Sequence, residues 1–440
     1  MYRKVISVML VCVFAVMLAG CGGPNKASSG ENDTDSADKV KIVFWNSYFP
    51  TVDENNKSKK KEEFYISQAV KRFEESHPGI TVEVQDMPSG NDLFTKFQTS
   101  SIAKNGPDLT VLWSGNYMLR AKQYLEKLNP YFNGDEKSRI IGWEATTDGF
   151  NSEGDIYGVP AGTDGTFVFY YNKKLFRDAG IDPEASRPKN IDEFFAMLDK
   201  LKAQGTVPLA LGKDAFWHIA SYWISQTVTP SGLDQLVKGE RHFSDPALVR
   251  IASKWAEIYE KGYATPLDQG SQMFNQGKAA ISPGGHGGIV SLRKVLGDDL
   301  GMMKIPDFSN DVAIHDGGVG GVGAAYVVTN YSENKKETVE FIKFILSKEE
   351  QIHYIESGEG SLTVTNDIDI SQYTKDPYIA TMQQWAAEPS TIFWPDNVYP
   401  AELTSEISAL EPLLFTGKIS PEKFMNKIDE KRDEIKSANK

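Results

Sequence analysis

Gly284, Gly285, His286, Gly287 and Gly288 crowd backbone amides around one imidazole, a pattern that could cradle an anion or place a hydrogen-bonding ring beside a solute. No Lys with a following Ser or Thr completes it as a nucleotide-binding loop. Metal chemistry has no better footing: His286 and His315 stand far apart, and neither an HExxH pair nor paired Cys occurs. A GxSxG elbow is missing as well. The 60 Asp and Glu leave room for a two-carboxylate glycosidase, but spacing nominates no acid and base. No cofactor motif appears, and no cofactor is expected. Aromatic side chains offer platforms for a flat apolar ring face, and Asp, Asn, Glu and Arg can hydrogen-bond around such a ring. With 8 Trp, 18 Tyr and 23 Phe, most of them needed for core, location must decide which are platforms. Asp164, between Thr163 and Gly165, has two readings: acceptor for a ligand hydroxyl, or holder of its own turn.

One further reactive residue is Cys21. Arg3 and Lys4 precede an apolar run, Val5 to Leu18, too short to span a bilayer, and Ala19-Gly20 are the small residues a peptidase requires. Residues 1–20 read as a secretory signal. The segment Leu18-Ala19-Gly20-Cys21 resembles the lipobox of bacterial lipoproteins, which implies a diacylglyceryl anchor on Cys21, on the extracytoplasmic face of the cell membrane. That face is the outer surface of a Gram-positive cell or the periplasmic side in a Gram-negative one. Residues 21–39 then form a polar tether with a reach of about 25 Å. Loss of Arg3 and Lys4 takes the formal charge from −13 to −15, and Lys57 to Lys61, the one basic run, is followed at once by Glu62 and Glu63. Nucleic acid is therefore not an expected partner. Cys12 leaves with the signal, so no intrachain disulfide is possible and stability rests on buried core.

The remaining chain is long enough for two lobes rather than one core. Lys41 to Trp45 alternates as a strand. Phe64 to Ser76 puts Ile66, Ala69, Val70 and Phe73 on one helical face, and Ile80 to Val84 alternates again. Strand, helix, strand predicts a parallel pair with a crossover helix. Asn190 with Glu193 opens a helix that Gly205 ends before the apolar run Val207 to Leu211. Two helices are expected over Ser332 to Leu346 and Lys348 to Ser357, and a last one from Pro421, with Phe424, Ile428 and Ile435 inward.

Residues 154–174 (GDIYGVPAGTDGTFVFYYNKK) are similar to the interlobe crossing of bacterial extracellular solute-binding proteins, the sugar-binding group of ABC importers. Gly106 to Trp113, Leu125 to Tyr131 (LEKLNPY), Lys200 to Leu211 with Lys213 to Trp217, Phe274 to Gly285 and Ala325 to Lys348 resemble further family segments in the same order. The resemblance implies an α/β, two-lobe periplasmic-binding-protein type II fold, each lobe a mixed, mostly parallel sheet flanked by helices. The N-terminal lobe would hold residues 40–164 and 321–370, and the C-terminal lobe 165–320 and 371–440. It implies a non-enzymatic monomer that closes on a mono- or oligosaccharide by hinge motion at Thr163 to Thr166 and Gly317 to Gly323. Its partners would be the permease subunits of an ABC importer. A surface hydrolase, or the same fold with glycerol phosphate, polyamine or a metal chelate as cargo, is the competing reading.

Carried onto this chain, the resemblance places Asn46 and Tyr48 after the first strand, Trp113, Ser114 and Asn116 on a cleft loop, and Asp164 at the crossing. From the second lobe come Trp217, Gly285, His286, Trp394 and Asp396. Many relatives have an aromatic where His286 stands, so a more polar contact is expected there.

Overall fold

Alternating apolar residues build the first layer. In the computed structural model, which describes residues 39–52, 58–151, 153–211, 216–264, 269 and 272–438, β1 (Val40–Asn46) buries Ile42 and Phe44. The helix Tyr65–Ser76 buries Tyr65, Ile66, Ala69 and Phe73, and Gly79 turns the chain at φ +95°. β2 (Ile80–Asp86) then lies parallel to β1, Val40 opposite Ile80 and Asn46 opposite Asp86, as strand–helix–strand predicts. The signal, Cys21, the tether up to residue 38, Lys57, Lys213 and the Trp217 side chain lie outside what is described.

Two sheets follow. The first joins β1 and β2 to β3 (Leu109–Trp113), β4 (Val159–Thr166), β9 (Gly318–Val328) and β10 (Thr391–Phe393), in the order β10-β9-β3-β1-β2 with β4 also on β9. The second is β6 (Val207–Leu209), β7 (Ala279–Gly284), β5 (Val168–Asn172) and β8 (Leu300–Lys304). Helices cover both. Phe341, on the helix Lys335–Ile345, meets Phe44 and Phe73 edge-on at 6.2 and 5.0 Å, while Phe194 of the helix Ile191–Ala203 stacks on Phe169 of β5 at 5.3 Å.

The expected parallel majority holds in the first sheet and not in the second. There β6 and β7 run parallel, but β5 is antiparallel to both β7 and β8. The reason lies in where β5 comes from. Only Phe167 separates it from β4, too little chain for a crossover, so it enters at the edge where β7 and β8 end, with Val168 opposite both Gly284 and Lys304.

The glycine-rich stretch expected as a hinge is largely strand. β9 runs unbroken from Gly318 and pairs antiparallel with β4, with register shifts between Pro160 and Thr166. At Gly320, φ is +149° and a Cβ would stand 1.9 Å from the Gly165 carbonyl oxygen, so only glycine lets the two crossing strands approach this closely. Among the described residues, no helix is long and apolar enough to cross a membrane.

Candidate functional site

β1, β2 and β3 run parallel, so their carboxyl ends open at one edge of the first sheet, and there the crossing strand β4 departs. A cavity of about 180 Å³ occupies that edge. The loop after β1 supplies Ser47 and Tyr48, the start of the helix Gly90–Ile102 supplies Ser89 and Gly90, β3 supplies Trp113, and the crossing strands supply Gly162, Asp164 and Gly323. The carboxyl edge of an open α/β sheet, where strand order reverses, is the ordinary place for a small solute.

Asp164 is the centre of the constellation. It is solvent-exposed as a residue, yet its carboxylate lies deep among neighbours. Trp394 Nε1 donates to its Oδ2 at 3.0 Å, and its backbone carbonyl accepts from His286 Nδ1 at 2.8 Å. A carbonyl only accepts, so this contact puts a proton on Nδ1 and turns Nε2 outward as the second polar atom of the ring. Burial raises the Asp164 pKa above the usual carboxylate value, opposed in part by the Trp394 hydrogen bond and the nearby His286. Gly323 is required beside it, because a Cβ there would stand 2.3 Å from Oδ2.

Aromatic faces surround this carboxylate. Trp113 is 49% exposed, high for an indole, and tilts against Tyr117 with centroids 4.7 Å apart. Trp394 meets Phe167 edge-on at 5.5 Å. The Tyr48 hydroxyl packs over Gly162, where a Cβ would collide with it. Burial, then Tyr354, Tyr326 and Asp164, keep that hydroxyl far from ionising, so it stays a neutral donor and acceptor. Gly285 reaches the group indirectly, beside Phe167 and through the Tyr170 hydroxyl, which donates to its carbonyl at 2.9 Å.

Three expected contacts turn elsewhere. Asn46 is buried, its Oδ1 accepting from the Tyr48 and Phe49 amides at 3.2 and 2.9 Å and its Nδ2 donating to Phe49 O and Asp86 Oδ1. Its capacity is used up in an Asx turn that aims Tyr48. Ser114 is buried; its Oγ donates to Val322 O at 2.8 Å and accepts from Asn397 Nδ2 at 3.1 Å. Asn116 Nδ2 donates to Val398 O. Both tie the β3 loop to the segment that carries Trp394. The sequence reading missed Tyr117, Ser89, Gly90, Gly162 and Gly323, and none of them had a local signal: Trp113 ends β3 and Tyr117 lies in the turn of helix beyond Gly115, so no single periodicity joins the two rings.

Asp396, two residues after Trp394, does not line the cavity; Trp394 and His286 do not line it either, but each is hydrogen-bonded to Asp164, which does. Its Oδ1 is buried without a hydrogen-bond partner, and burial together with the Asp164 charge pushes its pKa up to about 6, against the pull of its own and Asn397 amides. A folded pKa above the unfolded one means that stability is complete at low pH and falls as pH rises from about 4 through 6. The stability difference between Asp396→Asn and the parent should therefore move in the variant's favour by about 2–3 kcal/mol between pH 4 and pH 7.5, read from urea unfolding. A constant difference would refute this assignment. Among the described residues, no group of three or more His, Cys, Asp or Glu is arranged to hold a metal ion.

Residues 68–381 match the family of bacterial extracellular solute-binding proteins, and the chain belongs to it. An uncharacterised ABC transporter extracellular-binding protein of Pyrococcus horikoshii is 27% identical over 299 residues, a match that spans 64% of each chain. The multiple sugar-binding protein of Streptococcus mutans is 22% identical over 371 residues, 78% of each. Among solved structures, a chitin oligosaccharide binding protein superposes with a TM-score of 0.69 at 22% identity, covering 90% of this chain and 99% of that one. The fold, two α/β sheets joined by crossing strands, is therefore the two-lobed fold of this class.

Proposed function

We propose that this protein is the extracytoplasmic substrate-binding component of an ABC importer, and that it captures a mono- or oligosaccharide, unaltered, at the cavity around Asp164. The observation that carries this reading is that Asp164, which lines a cavity with Tyr48 and Trp113 at the carboxyl edge of the first sheet, also holds Trp394 through its carboxylate and His286 through its backbone carbonyl. Flat indole faces suit a pyranose ring, and a carboxylate with an imidazole suits its hydroxyls. Asp164 is the charged residue lining the cavity, with no Lys or Arg among the described lining residues, which speaks against a phosphorylated cargo. The multiple sugar-binding and chitin oligosaccharide binding relatives agree with a carbohydrate. Ligand contacts are assigned to Tyr48, Trp113, Asp164, His286 and Trp394, with Gly285 as support. In the same reading residues 40–164 with 321–370 form one lobe and 165–320 with 371–440 the other, the protein acts as a monomer, and lipid on Cys21 keeps it at the membrane beside its permease.

The test is titration calorimetry with neutral mono- and oligosaccharides of glucose, xylose and N-acetylglucosamine, followed by chromatography of the recovered sugar. The expected result is saturable one-to-one binding of at least one sugar, recovered intact. Failure of every sugar to bind, or recovery of cleaved product, overturns the proposal.

A further inference from the structure

A second and larger cavity, about 410 Å³, lies on the opposite face of β9 from Asp164. Neighbouring residues of an extended strand point to opposite faces. Gly323 backs onto the Asp164 carboxylate, whereas the Val322 side chain turns the other way and packs on Gly142, at φ +78°. β9 is thus the wall between the two spaces. Ile314, Pro230 and Phe393 join Val322 in giving the second cavity an apolar lining.

Two carboxylates enter it, and they differ. Glu388 is neutralised, since Lys304 Nζ lies 2.5 Å from its Oε2. Glu144 is half-buried, and among the described residues the polar partner of its carboxylate is its own backbone amide. Burial without a counter-ion raises its pKa. A carboxylate in an apolar recess gains most from a cation that brings both charge and apolar surface, because desolvation is then offset by pairing and by area removed from water. The volume falls within the ordinary range of small-molecule sites.

We propose that this second cavity binds a small organic cation, a primary ammonium on an apolar body of about one aromatic ring, with Glu144 as its counter-ion. This holds whatever the first cavity binds.

Benzylamine is the probe, with benzyl alcohol as its neutral counterpart, followed by methyl and indole NMR of the purified protein. Benzylamine should shift the Val322 and Ile314 methyls saturably, and bind about tenfold more tightly than benzyl alcohol, as a charge-assisted hydrogen bond provides. Glu144→Gln should weaken benzylamine by about tenfold and leave benzyl alcohol nearly unchanged. Equal binding of amine and alcohol to the unmodified protein overturns the proposal, with no need of a variant. So does a response confined to the Trp113 and Trp394 indoles, which would place the amine at Asp164.

Discussion

Asp164→Asn is expected to weaken saccharide binding by about ten- to a hundredfold, because a hydrogen bond to a charged acceptor contributes roughly 1.5–3 kcal/mol against about 1 for a neutral one. The substitution keeps an oxygen where Trp394 Nε1 donates, so the indole need not move. It also removes a charge that burial disfavours, so the unfolding midpoint should hold or rise. Calorimetry and urea unfolding on the same preparation separate the two effects. The pH dependence gives a second readout. The Asp164 pKa is raised, so the parent's affinity should fall with decreasing pH at a point above the ordinary carboxylate range, and the variant's should not. Unchanged affinity in the variant would mean that Asp164 only holds the crossing strand.

Asp429→Ala is expected to cost the fold about 2–4 kcal/mol, because two backbone amides lose their acceptor and Arg432 keeps only one of its two carboxylates. Arg432 is 2% exposed, and Asp429 Oδ1 lies 2.5 Å from its Nη1. The same carboxylate accepts the Phe243 and Ser244 amides, both at 2.9 Å, so it fastens the helix Pro421–Ala438 to the turn before the helix Pro246–Glu260. Removal strands two amides and leaves the guanidinium with Asp433 and the Leu236 and Arg241 carbonyls as its partners. Lys431→Ala, on the exposed side of the same helix where Lys431 meets Glu434 at 3.1 Å, should change stability by less than about 1 kcal/mol. Similar shifts in the denaturation midpoint for both variants would contradict this account.

Periodicity made the first β–α–β unit legible, since Ile42, Phe44, Ile66, Ala69 and Phe73 alternate or recur as their elements require. The helix after Asn190 was equally plain, and the Asn190 side chain accepts from the Glu193 amide at 3.0 Å as a capping residue should. The direction of β5 was not legible, because it depends on which edge of its sheet the chain enters. The site divides in the same way. Asp164 and Trp394 are 230 residues apart and meet only in the fold, so no local pattern joins them, and only their family positions suggested both. Asn-Ser after a strand serves equally as a ligand contact or as an Asx turn, and the structure engages the Asn46 side chain in the turn. The bond from Asn116 to Val398, 282 residues away, likewise had no local signal. Glu144 gave no signal at all, since nothing near it marks a position facing a cavity.

The most direct test is a crystal structure with the saccharide that calorimetry selects. The prediction is a sugar ring against Trp113 or Trp394, with a hydroxyl donating to Asp164 and every glycosidic bond intact. A sugar bound elsewhere, leaving Asp164 without a contact, would contradict the assignment of the site and with it the function built upon it.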